Sequence, residues 1–266
     1  MSTNSAPPGA AAADHHRAAP ALQRIAAHTR LEARTLLGNG EQLLVALVLP
    51  ALVLLALVFI PLPESMTGGR TLTLSDAVAA TAATALIATS MTSQSIATAF
   101  DRRGGVLRWI ATTPLGRSGY LIGKLAALAV IHLLQVLALG GAALLLGWRP
   151  SWTQLAAALP VWVLGAAVFG LLGLLIAGTL RAEGVLAVSN LAFIAFVAGG
   201  GIGIPVDAFP TWLQPLIHLL PSGALMDLLR PALSGGALSA WPVLVLLLWA
   251  AAAAMLTVKF FKWTSV

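Results

Sequence analysis

The side chains of this chain that could do chemistry gather in three places. The first is the one strongly charged stretch of an oily sequence, 100–117, where Asp101, Arg102, Arg103, Arg108 and Arg117 stand among Val106, Leu107, Trp109 and Ile110. The second is a set of polar residues inside apolar runs: Thr89, Ser93, Gln94, His132, Gln135 and Asn190. The third is the proline-broken stretch 205–239, with Pro205, Pro210, Pro215 and Pro221 and, between them, Phe209, Trp212 and Leu213. Guanidinium groups beside apolar side chains suit contact with another protein better than bond making. Hydroxyls, amides and an imidazole inside apolar runs either line a polar path or tie helices together.

Catalytic arrangements are missing from the sequence. It has no Gly-x-x-x-x-Gly-Lys-Ser/Thr loop, no His-Glu-x-x-His helix, no Ser/His/Asp set and no paired intramembrane carboxylates. It has no cysteine, so no disulfide, thiolate metal site or covalent haem attachment is possible. No metal and no cofactor is expected on this chain. Ionisable groups within the apolar runs are scarce, with Asp76 near the end of one; a proton- or sodium-driven carrier needs such groups near the midplane.

The elements that must position these residues are helical and lipid-bound. Hydrophobic residues make up 59% of the chain and charged residues 9%, against about a quarter charged in soluble domains. The mean hydropathy is +0.92. Alanine and leucine dominate, which favours helix and disfavours an outer-membrane barrel. The net charge of +6 sits in loops between apolar runs, which fits membrane topology rather than nucleic acid. The expected fold is an all-α integral membrane protein with six transmembrane helices, over 43–62, 72–99, 121–146, 155–180, 185–202 and 242–258.

Residues 1–20 form an expected disordered tail without the apolar run of a signal peptide, and 21–266 a single membrane domain. Residues 21–37 are amphipathic, with Leu22, Ile25, Leu36 and Leu37 against Arg24, His28, Arg30 and Arg34, as in a helix lying in the membrane interface. Pro50 should kink the first span, and Pro61 and Pro63 end it. The second span is rich in hydroxyls and holds Gln94; close packing of small residues is the favoured explanation, with Gln94 the better candidate for a pathway. His132 is either a ligand or proton site or a histidine hydrogen-bonded within the bundle. Gly165, Gly170 and Gly173 should let the fourth span approach a neighbour closely. Gly199-Gly200-Gly201 allows a break at the end of the fifth. The stretch 205–239 is too polar for a span and should form short re-entrant helices, with Asp227 and Arg230 as a helix-surface pair.

Counting cations sets the topology. Arg17, Arg24, Arg30, Arg34, Arg102, Arg103, Arg108, Arg117, Lys124, Arg181, Lys259 and Lys262 fall on one side, and Arg70, Arg149 and Arg230 on the other. That bias places both termini in the cytoplasm and the chain in the plasma membrane.

Within 100–117, Val106, Leu107 and Ile110 share one side of a short helix begun after Gly104-Gly105 and stopped by Pro114. It is either a docking knob for a soluble partner or a surface loop whose arginines fix topology. Here the motifs speak. Asp101-Arg102-Arg103, Gly105, Leu107, Thr113-Pro114, Arg117 and Gly123-Lys124, followed far downstream by Gly203-Ile204-Pro205-Val206-Asp207-Ala208-Phe209-Pro210, Trp212-Leu213-Gln214-Pro215, Leu220-Pro221 and Leu228-Leu229-Arg230, resemble the permease subunits of type-2 ABC exporters. The similarity is to the group containing daunorubicin-resistance-type drug exporters and polysaccharide and teichoic-acid exporters. One departure is Arg103, where members often have a second acid.

The resemblance implies a transport subunit rather than an enzyme. ATP and Mg would be held by separate cytoplasmic ATPase subunits, and a second permease copy or a similar chain would complete the unit. It makes 100–117 the coupling segment, with Arg102, Arg103, Val106, Leu107, Arg108, Trp109, Ile110, Pro114 and Arg117 as contacts. Pro205, Phe209, Pro210, Trp212, Leu213 and Pro221 become the candidate outer gate. The cargo expected is an amphiphilic drug, antibiotic or lipid. The alternatives are a secondary transporter or channel, and a membrane scaffold or cofactor-assembly factor, for which His132 and His218 are the only hints.

Overall fold

The computed structural model describes residues 18–60, 63, 67, 69 and 71–262. Most of the expected tail, positions 61, 62, 64–66, 68 and 70, and the last four residues lie outside the described residues. Every regular element among the described residues is helical.

Helix α1 is Ala21–Gly38, one residue longer than expected. Helix α2 runs over 40–59 as Gly40–Leu43, a π turn at Leu44–Val48, and Leu49–Phe59. It ends short of position 62 because Ile60 precedes Pro61 and is driven to extended backbone, φ −98° and ψ 115°. Helix α3, Leu74–Arg103, contains a second π turn at Ala88–Ser93. Its start is fixed by a capping box in which Thr73 and Asp76 satisfy each other's backbone amides.

Helix α4 is the short Val106–Ala111. Helix α5, Gly116–Leu145, is as long as α3 at 30 residues, and α6, Trp152–Thr179, follows at 28. Ser151 and Gln154 cap α6 in the same reciprocal way, which makes Trp152 helical rather than part of the preceding turn. Helix α7 is Ala182–Gly199; α8, Gln214–Leu219; α9, Pro221–Ser234; and α10, Ala240–Phe260.

Among the described residues, five helices are long and apolar enough to cross a membrane: α3, α5, α6, α7 and α10. The sixth expected span is α2, whose apolar part, Ala46–Phe59, is shorter. The chain is a multi-pass membrane protein. Helix α6 lies centrally, touching α3, α7, α9 and α10, while α1 lies along α5. Contact between α6 and α3 is close where Gly173 faces the π turn: a Cβ there would fall 2.8 Å from the Met91 carbonyl oxygen. Gly165 likewise admits Leu225, but Gly170 makes only ordinary contact.

Candidate coupling site at one end of the bundle

The charged triplet does not belong to a loop. Asp101, Arg102 and Arg103 form the last turn of α3, and the chain turns only at Gly104 and at Gly105, whose φ of 76° suits glycine. Helix α4 then crosses the end of the bundle. Thr112 Oγ1 donates to the Trp109 carbonyl and Thr113 Oγ1 to the Ile110 carbonyl, each at 2.7 Å, closing the short helix. Arg24 of α1 donates to the Pro114 carbonyl, and Arg117 falls in the first turn of α5.

The two faces of α4 differ. Leu107 is 0% exposed and Ile110 is buried, both packed against Tyr120 of α5 with Leu115, Leu121 and Phe261. These two residues therefore anchor α4 to the bundle, correcting their expected place on the docking surface. The free face carries Val106, Arg108 and Trp109, the last 68% exposed, with exposed Phe100 close by in sequence at the end of α3.

The arginines divide in the same way. Arg102 is buried and donates from Nη1 to the Gly178 carbonyl at 2.9 Å and from Nη2 to the Leu180 carbonyl. It caps the C-terminus of α6, where a cation also meets the negative end of the helix dipole, so it is unavailable for docking. Arg103 pairs with Glu183 of α7 at 2.6 Å in the open, which accounts for a base at this position. Arg108 is exposed, as is Arg117.

Behind α4 lies an ionic cluster. The Asp101 carboxylate accepts from the Tyr120 hydroxyl at 2.8 Å and from Lys124 Nζ. Lys124 is 4% exposed and also lies 3.6 Å from Glu32 of α1. His28, one turn before Glu32, stacks near Tyr120 with ring centroids 5.3 Å apart. Burial pushes the His28 pKa down, with Lys124 acting in the same direction; Glu32 and Asp101 oppose this without overcoming it. The cluster thus ties α1, α3 and α5 together immediately behind the exposed face of α4.

Deeper in the bundle, Thr89, His132 and Gln135 come together. His132 contacts Ser90 Oγ at 2.7 Å and Gln135 Oε1 at 3.0 Å, with Trp162 edge-on to its ring. This places His132 in a hydrogen-bonded network within the bundle. Ser93 and Gln94 instead line a cavity of about 30 Å³ with Thr89, Glu32, Lys124 and Leu128. Asn190 joins neither group: it lies on the exposed face of α7, and its neighbour Ser189 is the buried one, 2.6 Å from Ser95.

At the opposite end, Pro205, Pro215 and Pro221 stand at the starts of short helices, while Pro231 lies inside α9. Pro205 precedes the single turn Val206–Ala208, Pro215 falls in the first turn of α8, and buried Pro221 opens α9. Gln214 Nε2 donates to the Phe209 carbonyl at 2.9 Å, Leu213 is half-buried, and Pro210 and Trp212 are exposed, Trp212 by 71%. Asp227 and Arg230 do not pair with each other. Asp227 meets His218 at 2.6 Å, and Arg230 reaches across to Asp76 at 3.1 Å, because α9 packs against the first half of α3.

Comparison with known proteins decides the family. Residues 23–233 match the ABC-2 type transporter family. The chain belongs to that family. It is 30% identical over 150 residues to nodulation protein J of Rhizobium leguminosarum bv. viciae, covering 55% of this chain and 58% of that protein. It is 27% identical over 157 residues to a probable doxorubicin resistance ABC transporter permease protein DrrC of two Mycobacterium tuberculosis strains, covering 57% of this chain and 55% of each. The aligned part is thus little more than half of these relatives. As an ABC-2 permease the chain is a membrane transport subunit.

Sequence reasoning had missed Glu32, Tyr120 and the role of Lys124 in this permease. The available signal was the i, i+4 spacing of His28 and Glu32 on α1, with Tyr120 and Lys124 at the same spacing on α5.

Proposed function

We propose that this permease is the membrane part of an ATP-driven exporter in the plasma membrane, with both termini and α4 on the cytoplasmic side. A separate ATPase, holding ATP and Mg, docks on α4. The observation carrying this reading is that α4 presents Val106, Arg108 and Trp109 outward while Leu107 and Ile110 bind its other face to the bundle. A knob built this way transmits force, because pushing Trp109 moves Tyr120 and, through Asp101 and Lys124, α1, α3 and α5 together. The cation bias of the sequence supports the sidedness.

A second copy or a similar chain completes the transport unit. The cargo is an amphiphilic drug, antibiotic or lipid; the apolar bundle and the resistance phenotype in the name of one relative support that class. The stretch 205–239, with Trp212 and Leu213, serves as the outer gate.

The test is co-purification of the ATPase, with hydrolysis and transport measured on the reconstituted complex. Trp109→Asp should abolish docking while the permease still inserts and folds. Unchanged docking and transport would leave α4 as a topology anchor only.

A further inference from the structure

Pro50 leaves a backbone acceptor without its usual partner. In an α-helix the carbonyl of residue 46 takes the N–H of residue 50, and proline has none; its ring also crowds that carbonyl. In α2 the chain widens into the π turn Leu44–Val48, where the Leu49 N–H reaches back five residues to the Leu44 carbonyl, and the Ala46 carbonyl is met from another helix. Gln135 Nε2 of α5 lies 3.0 Å from it. The same nitrogen is 2.7 Å from Thr89 Oγ1 and 3.4 Å from the Ala85 carbonyl, at the edge of the π turn of α3.

The hydrogen positions follow. Carbonyls only accept, so the amide nitrogen of Gln135 faces them and its oxygen faces His132 Nδ1. Nδ1 therefore carries the ring hydrogen, and the Ser90 hydroxyl donates to Nε2. Two N–H groups of Gln135 face three acceptors, one on α2 and two on α3. If α2 withdraws, both N–H groups still have acceptors on α3, so the nitrogen is not stranded. Helix α3 is seated against α6 at Gly173, whereas α2 keeps Val48, Leu49 and Leu52 exposed. Helix α2 is the partner free to move.

We infer that Gln135 is a positioning residue, a clasp supplying the donor that Pro50 lacks, and that α2 swings about Pro50 when this amide transfers from the Ala46 to the Ala85 carbonyl. The swing belongs to the transport cycle proposed above; the clasp stands without it. Hydrogen exchange of the permease alone in lipid nanodiscs tests the clasp without any ATPase, so its failure is distinct from failure of the export reading.

Leaving one buried carbonyl without its donor corresponds to about tenfold in local opening. Gln135→Leu should raise exchange over 44–52 by about that factor. Pro50→Ala restores the backbone donor, so Gln135→Leu added to it should have little further effect. Unchanged exchange in Gln135→Leu, or the same rise in the double variant, would overturn the clasp. Should Gln135→Leu alone fail to fold, the double variant decides: folding recovered by adding Pro50→Ala supports the clasp, and failure of the double variant as well overturns it. Because the chain has no cysteine, nitroxides at Leu52→Cys and Leu133→Cys report the swing alone. Gln135→Leu should broaden or shift their distance distribution, and an unchanged distribution would overturn the swing.

Discussion

Replacing Trp109 with alanine separates docking from folding. The indole is 68% exposed on the outer face of α4. A large aromatic side chain covers roughly 150–250 Å² on burial, so a groove closing over the exposed part removes about 100–150 Å² from water. At about 25 cal/mol per Å² this is about 3 kcal/mol, or roughly a hundredfold in affinity for the ATPase. The isolated variant should melt within about 0.5 kcal/mol of the parent, as surface substitutions do. Leu107→Asp should behave in the opposite way. It puts a carboxylate where Leu107 is 0% exposed, against Tyr120, so the permease itself should lose stability and yield before docking can be measured. Titrating immobilised permease with ATPase, beside a thermal melt of each variant, gives both quantities. If Trp109→Ala binds as tightly as the parent, or if Leu107→Asp folds normally, the assignment of faces on α4 is wrong.

Three other perturbations bear on the fold. Gly173→Ala would place Cβ 2.8 Å from the Met91 carbonyl, a contact with backbone that cannot rotate away; a loss of about 1–3 kcal/mol is expected in the melt. Arg103→Ala breaks an exposed pair, at 60% and 69% exposure, and should change stability by no more than about 1 kcal/mol. His28 binds a proton less readily folded than unfolded, so folding loses stability as pH falls below about 6.5, the unfolded value. His28→Gln should flatten the decline between about pH 7 and 5 in a melt series, against a background set by Glu32, Asp101, Lys124 and Tyr120.

Helices and their rough order were legible because long apolar runs and proline or glycine breaks are local signals. Side assignments within short helices were not. Helix α4 has apolar residues at 106, 107, 109 and 110, and only the position of Tyr120 on α5 decides that Leu107 and Ile110 turn inward. Arg102 looked like a surface charge because nothing local tells that two carbonyls at the end of α6 await it. Asp227 and Arg230 sit at helix-pair spacing, but partners elsewhere in the chain offered better geometry. Asn190 and Ser189 differ by one residue, about 100° around the helix, and the periodicity of α7, apolar nearly all round, could not choose between them. Pro50 was legible as a disturbance of α2, yet the widened turn and its donor from α5 depend on tertiary packing.

Single cysteines in this cysteine-free chain measure docking and sidedness together. In inside-out vesicles, Arg108→Cys, which leaves Trp109 in place, should react rapidly with a membrane-impermeant maleimide, and added ATPase should protect it; Leu107→Cys, in the preparation that folds, should stay unreactive. Labelling of Arg108→Cys only in right-side-out vesicles, or labelling that the ATPase leaves unchanged, would contradict α4 as the cytoplasmic docking knob.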